Sequence, residues 1–301
     1  MHIGMIGLGR MGMNMARRLV GGGHRVTATT RSRRKVREAV GYGVEGVHTP
    51  SELVAALPSP RVVWIMVPAG DPVDAVIAGI RDDLGEGDII IDGGNTFYRD
   101  DLRRAGELAA RGVRYVDVGT SGGIWGLEVG YCLMVGGDEG DFRFLEPLFR
   151  TLAPEGGYMH CGPTGAGHFV KMVHNAVEYG MMEAYGEGFE LLKRSRYGGG
   201  LDMAAVARLW NNGSVVRSWL LELLERAFEA DKDLEAVEPY VEDSGEGRWS
   251  VQEAVDLSVS LPAISAALFR RFRSRDPDSF AEKVLAALRK EFGGHAVKQR
   301  Q

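Results

Sequence analysis

Apolar and polar positions along the chain follow two regimes. In the first half, short apolar runs alternate with segments whose apolar residues recur every three or four positions. His2–Gly7, His24–Thr29, Arg61–Val67, Asp88–Asp92, Val113–Val118 and Tyr131–Val135 read as strands, and Arg10–Gly21 as a helix between the first two. This alternation predicts parallel strands crossed by helices, a Rossmann-type doubly wound α/β sheet. Beyond about Gly162 only helical periodicity remains, first in the proline-free His168–Arg194. Leu201–Trp210, Val215–Ala230, Val251–Leu257, Ala263–Arg273 and Ser279–Phe292 continue it. The expected organisation is an α/β domain over residues 1–162 and an all-helical domain over 163–301. The break falls in the turn-rich Cys161-Gly162-Pro163-Thr164-Gly165.

Composition narrows the class. The 301 residues are 45% hydrophobic and 26% charged, enough for a sizeable core. A formal net charge of -5 gives no footprint for nucleic acid or a membrane surface. The two cysteines, Cys132 and Cys161, have neither disulfide-framework nor metal-ligand spacing. No apolar run is long enough to span a bilayer, and no secretory leader pattern follows Met1. A cytoplasmic location is expected.

The first chemical signal is Gly7-Leu8-Gly9-Arg10-Met11-Gly12, between the first strand and the first helix. Such glycines permit a tight turn, backbone approach to a pyrophosphate and close helix–sheet packing. The free N–H groups of the helix start favour the anion. Where a free ribose hydroxyl would meet a carboxylate, the chain reads Thr29-Thr30-Arg31-Ser32-Arg33-Arg34-Lys35. A guanidinium there can grip a 2′-phosphate, so NADP is expected over NAD, which remains open. The alternative is a solvated basic helix start. Val67, Pro68 and Ala69, closing the third strand, are assigned to the same dinucleotide site.

The second signal is a stripe. At about 100° per residue, Lys171, His174, Asn175 and Glu178 share one narrow helix face within apolar surroundings. An amine, an imidazole, an amide and a carboxylate are four different hydrogen-bonding tools. Taken alone, the stripe could equally be an ordinary polar face with a Lys–Glu pair. Asp92-Gly93-Gly94-Asn95-Thr96 and Ser121-Gly122-Gly123 follow strand ends, where ligands of open α/β sheets bind. Each could alone be a tight turn. Together with the stripe they suggest a cleft between the domains. No His/Cys/Asp/Glu set has ligand spacing, so no metal is expected.

These residues resemble the 6-phosphogluconate dehydrogenases, within the wider β-hydroxyacid dehydrogenase group. The resemblance rests on Ile89–Asp100, Ser121-Gly122-Gly123, Lys171–Asn175, Glu178-Tyr179-Gly180, Gly245–Trp249 and Arg289–His295, in family order. It implies oxidative decarboxylation of 6-phospho-D-gluconate to D-ribulose 5-phosphate and CO2, in pentose phosphate and gluconate metabolism. It implies Lys171 as general base and Glu178 as the acid that protonates C1. It gives Asn95, Ser121, Gly122, Gly123, His174 and Asn175 to the sugar acid. Tyr179, Arg248 and an arginine of 271–275 go to the phosphate, Arg275 first and Arg273 next. Gly7, Gly9, Arg10, Met11, Gly12, Thr30, Arg31, Ser32 and Asn95 go to the dinucleotide. Arg289 and His295 look like a pair that reaches a neighbouring subunit's site, so a homodimer or larger assembly with shared sites is expected.

Two features set the chain beside the short branch. Ile124-Trp125 stand where longer members carry a carboxylate, and the helical domain lacks an internal duplication. Two other readings remain open. One is a relative acting on a small unphosphorylated acid; the other is a non-catalytic NADP-binding sensor.

Overall fold

The computed structural model describes residues 1–294 and 296–298. The chain divides into two units, Met1–His174 and Asn175–Gln301. In the first, β1 (His2–Ile6), β2 (Arg25–Thr29), β3 (Glu45–Gly46), β4 (Val62–Ile65), β5 (Ile89–Asp92), β6 (Arg114–Ser121), β7 (Cys132–Gly136) and β8 (Tyr158–Gly162) form one sheet. Its order is β3-β2-β1-β4-β5-β6-β7-β8. Between the strands run α1 (Arg10–Gly21), α2 (Arg33–Val40), α3 (Pro50–Ala56), α4 (Asp71–Ile80), α5 (Tyr98–Ala109), α6 (Gly126–Val129) and α7 (Glu139–Leu152).

Side chains of successive strand residues enter opposite cores. Ile3, Met5, Val62, Trp64, Ile89 and Ile91 belong to one buried cluster. Ile6, Val63, Ile65 and Ile90 belong to the other. Both faces of the sheet are therefore covered, which is why its central strands read as continuous apolar runs.

The expectation of parallel strands needs one correction: β7 runs antiparallel to β6. Only residues 122–131 join them, too few for the crossover that a parallel pair needs. Sequence periodicity also missed the two edge strands. β3 has two residues, and β8 has no fully buried position.

Helix α8 (Ala166–Arg194) starts in the first unit and continues into the second. Its start is seated on the sheet by Asp117 of β6. This buried carboxylate accepts from the backbone N–H of Gly165 at 2.7 Å and of His168 at 2.8 Å. It thus satisfies donors that every helix start leaves orphaned. Glycines let the backbones meet. A Cβ at Gly119 would lie 2.3 Å from the Lys171 Cβ, and one at Gly167 would lie 2.4 Å from the Met134 carbonyl oxygen.

The second unit adds α9 (Met203–Asn211), α10 (Trp219–Ala230), α11 (Glu246–Asp256), α12 (Pro262–Ser274) and α13 (Phe280–Gly293). Side-chain caps set several starts. Asp202 caps α9, Ser218 caps α10 and Ser279 caps α13. The Ser218 cap explains why α10 begins later than the expected Val215. α11 begins earlier than the expected Val251, because its first turn is the polar Glu246-Gly247-Arg248. α13 buries none of its side chains, and Phe280 and Phe292 are 77% and 78% exposed. Among the described residues, no helix is long and apolar enough to cross a membrane.

Asp117→Ala should unpair two buried donors. At roughly 1–3 kcal/mol for each, urea unfolding should report a loss of several kcal/mol. A stability within about 0.5 kcal/mol of the native chain, the range of neutral surface changes, would contradict this seat for α8.

Candidate active site

The glycine turn after β1 is built for a phosphate. Gly7 has φ +108, and a Cβ there would lie 2.3 Å from the Met66 carbonyl oxygen. A Cβ on Gly12 would lie 2.1 Å from the Gly7 carbonyl oxygen. Gly9 is different: a Cβ there would meet nothing within 4 Å. The outer glycines serve the fold, and the middle one leaves open space at the start of α1. That first turn holds no acidic residue and no side-chain cap. A cavity of about 710 Å³ adjoins it, lined by Gly7, Gly9, Thr30, Arg31, Val67 and Pro68. The chemistry and size suit a dinucleotide. Arg10 lines an adjoining hollow with Lys35, whereas Met11 is packed against the core. Ser32 is the N-cap residue of α2, and Ala69 is half-buried on the loop after β4.

The Asn95 loop is clamped from below. Asp92, fully buried at the end of β5, accepts from Gly94 N at 3.0 Å and from the Thr96 hydroxyl at 2.7 Å. Arg104 reaches the same carboxylate at 3.3 Å and Asp74 at 2.7 Å. Gly93 lies on Trp64, where a Cβ would sit 2.1 Å from the indole nitrogen. Asn95 itself is exposed. The Tyr115 hydroxyl lies 3.2 Å from Asp92 and 2.8 Å from Asp101. Asp101 in turn meets His168 Nδ1 at 2.7 Å. A continuous buried network thus joins the Asn95 loop to the first turn of α8. Asp92, Asp101 and His168 bring potential ligand atoms within 4.8 Å of one another, but Thr96, Arg104 and Tyr115 already engage these carboxylates. The arrangement is a hydrogen-bonded strut.

Lys171 is buried on α8 against Gly119, and the Ser121 hydroxyl lies 3.5 Å from His174 Nε2. Gly122 has φ +124 and Gly123 φ +53, so the chain after Ser121 turns as few other residues could. The apolar surroundings expected for the stripe are only partly present. Lys171 and Asn175 are buried, while Val173 and Val177 are 41% and 47% exposed. Of the stripe, Lys171 and Asn175 are buried and His174 and Glu178 are half-buried.

In the second unit, Asn175 donates to Glu246 at 2.7 Å. The Tyr179 hydroxyl accepts from Ser244 N at 3.0 Å, and its ring touches Gly247, where a Cβ would lie 2.7 Å away. Arg271 stacks over that ring at 3.6 Å. Asp243 bonds Arg248 through both carboxylate oxygens, at 2.7 and 3.1 Å, and Arg275 at 2.8 Å. The two guanidiniums hold its carboxyl below the usual range, Arg248 most strongly. Arg273 is instead paired with Glu282 at 2.7 Å. Glu178 is half-buried and Arg289 exposed. His295 lies outside the described residues. The residues that sequence reasoning missed are the supports: Asp92, Asp101, Arg104, Tyr115, Asp117, His168, Asp243 and Glu246. An acidic residue within an apolar strand run was the available signal for Asp92 and Asp117.

Fold and motifs define a nicotinamide dinucleotide-binding oxidoreductase with a helical second part. Family models agree: that for the NAD binding domain of 6-phosphogluconate dehydrogenase matches residues 2–162, and that for its C-terminal domain matches 167–299. A putative 6-phosphogluconate dehydrogenase of Bacillus subtilis is 46% identical over the whole of both chains. The NAD(+)-dependent, decarboxylating enzyme of Haloferax volcanii is 45% identical, over 99% of this chain and 98% of its own. Plasmodium falciparum 6-phosphogluconate dehydrogenase superposes with a TM-score of 0.83 at 28% identity, over 100% of this chain and 67% of that one. The chain belongs to the 6-phosphogluconate dehydrogenase family.

The buried His168–Asp101 pair makes stability depend on pH. Burial would lower the imidazole pKa, but the adjacent Asp101 overrides it and pushes it up to about 9, from 6.5. Burial raises Asp101 to about 6, against the pull of His168. A raised histidine pKa stabilises fully below the unfolded value of 6.5, and this contribution is lost as pH rises through 9. Unfolding free energy should fall more steeply between about pH 7 and 9.5 in the native chain than in His168→Gln. Equal slopes in urea titrations would mean that the folded imidazole is neutral.

Proposed function

We propose that this protein oxidises 6-phosphogluconate at C3, preferably with NADP, and releases CO2 and ribulose 5-phosphate. The observation that carries the reading is the buried Lys171, fixed against β6 beside the His174–Ser121 pair, in a chain that matches the family from end to end. The names of the Bacillus, Haloferax and Plasmodium relatives supply the substrate.

Lys171 takes the C3 hydroxyl proton. A dinucleotide held at the Gly7–Gly12 turn would supply the hydride acceptor. The amine must be neutral to accept that proton. Once protonated, Lys171 polarises the 3-keto oxygen, so that the β-keto acid can lose its carboxylate as CO2. Lys171 lends its proton to that oxygen in the enol and takes it back as Glu178 protonates C1, which gives the ketone. Asn95, Ser121, Gly122, Gly123, His174 and Asn175 hold the sugar acid. Tyr179 and Arg248 hold the phosphate. Arg271 replaces Arg275 as the third group there, because it is the arginine stacked on Tyr179. Arg275 supports Arg248 through their shared Asp243.

Gly7, Gly9, Arg10, Thr30, Arg31, Ser32, Val67, Pro68 and Ala69 surround the dinucleotide, with Gly12 and Met11 shaping the turn from beneath. The dinucleotide domain is residues 1–162, ending with β8, and 163–301 serves substrate and assembly. The unburied apolar side chains of α13 fit an assembly of at least two copies, in which Arg289 and His295 serve a neighbour's site. Free cysteines suit a cytoplasmic enzyme.

The primary test incubates the pure protein with 6-phosphogluconate and each dinucleotide while trapping CO2. Reduced nicotinamide and CO2 should appear in equal amounts; reduction without CO2 removes the decarboxylating reading. Lys171→Met should abolish turnover while leaving dinucleotide affinity largely intact. Turnover within tenfold of native, a barrier change of only about 1.4 kcal/mol, would take Lys171 out of the base role. Arg31→Ala should raise the KM for NADP far more than that for NAD. A native preference for NAD, like that named for the Haloferax relative, would sink the NADP assignment.

A further inference from the structure

Helix α1 starts at the dinucleotide turn, and its next turns hold a second segment. Residues 122–131, between β6 and β7, begin beside Ser121 and run over α1. Asn14 Nδ2 donates to the Ile124 carbonyl oxygen at 3.2 Å. Arg18 Nη1 donates to that of Leu127 at 3.0 Å and approaches that of Glu128 at 3.5 Å. Its Nε donates to the Thr151 carbonyl oxygen at 2.9 Å. Ile124 also lines, with Gly9, Arg10 and Lys35, the hollow beside the dinucleotide turn.

These bonds act where the segment cannot hold itself. Four of its ten residues are glycines, and Gly122, Gly123 and Gly130 have positive φ. Its far end is anchored by the Tyr131 ring on Gly126, where a Cβ would lie 2.0 Å from that ring. The carbonyls of Leu127 and Glu128 lie in the last turn of α6, and that of Thr151 in the last turn of α7. A helix leaves such acceptors orphaned, and a cation suits them. Among the described residues Arg18 is paired with no carboxylate, so its guanidinium serves these carbonyls.

We infer that Arg18, with Asn14 beside it, is a positioning residue that ties the loop after Ser121 to the helix of the dinucleotide turn, and so holds the Ser121-Gly122-Gly123 corner in place for the sugar acid. The inference rests on the proposed function, which gives Ser121, Gly122 and Gly123 to the substrate. Neither Arg18 nor Asn14 touches the substrate in this role. Capping α6 and α7 alone would alter stability and not substrate recognition.

The test compares the full native chain with Arg18→Met, which keeps the reach of the side chain and removes its donors. It reads the KM for 6-phosphogluconate at saturating dinucleotide, the Kd for the reduced dinucleotide by its fluorescence, and the melting temperature. Loss of folded protein lowers kcat and leaves KM unchanged, so the KM separates positioning from stability. Arg18→Met should raise the substrate KM about three- to tenfold, the size of one or two hydrogen bonds, with the dinucleotide Kd within about twofold. A folded Arg18→Met whose substrate KM stays within about twofold of native, even if it melts lower, overturns the inference. So does a substrate KM that rises only together with the dinucleotide Kd, because the damage then lies in α1 itself. If Arg18→Met does not fold, Asn14→Ala carries the test: a substrate KM raised about threefold supports the inference, and an unchanged one overturns it. A native chain that does not turn over 6-phosphogluconate removes the proposed function first, and the inference falls with it.

Discussion

The two hydrogen bonds from the start of α8 to Asp117 are the constraint on which the rest depends. A helix of 29 residues must begin on the sheet at one register, and a buried carboxylate fixes it there. The anion also suits the positive end of the helix dipole. Gly119, Gly136 and Gly167 remove the side chains that would hold the helix off β6 and β7. Lys171 then follows one turn from the seat, with its Cβ against Gly119. Its position is set by backbone contacts, which deform far less easily than side-chain contacts.

The buried network from Asp92 through Tyr115 and Asp101 to His168 extends this constraint to the Asn95 loop. Arg104 offsets part of its negative charge. Such networks are costly unless each member is satisfied, and they favour one arrangement over near alternatives. In the second unit, Asp243 and Glu246 do similar work for Arg248, Arg275, Asn175 and Tyr179. The groups proposed to touch substrate are thus backed by carboxylates that do not.

How far the sequence was legible follows from this division. The central strands were readable because burial on both faces makes them continuously apolar. β3 and β8 were not, because edge strands lack that burial. The reversal at β7 was hidden in the length of residues 122–131. Glycine motifs and the α8 stripe announced themselves by residue type and helical spacing. Asp117 and His168 did not, since their partners are far apart in the chain and only the fold joins them. Arg271 could not be separated from Arg273 and Arg275 by spacing alone. The stacked ring of Tyr179 and the Glu282 partner of Arg273 distinguish them.

One face of α8 is proposed to handle both proton transfers, Lys171 at C3 and Glu178 at C1 of the product. Running the reaction in heavy water reads the second of them. Protonation of the enol while it is still bound, by a fixed acid, predicts ribulose 5-phosphate with one deuterium at C1 in a single configuration. Early-time product with deuterium in both configurations at C1 would mean that solvent protonates a released enol, and would contradict the claim.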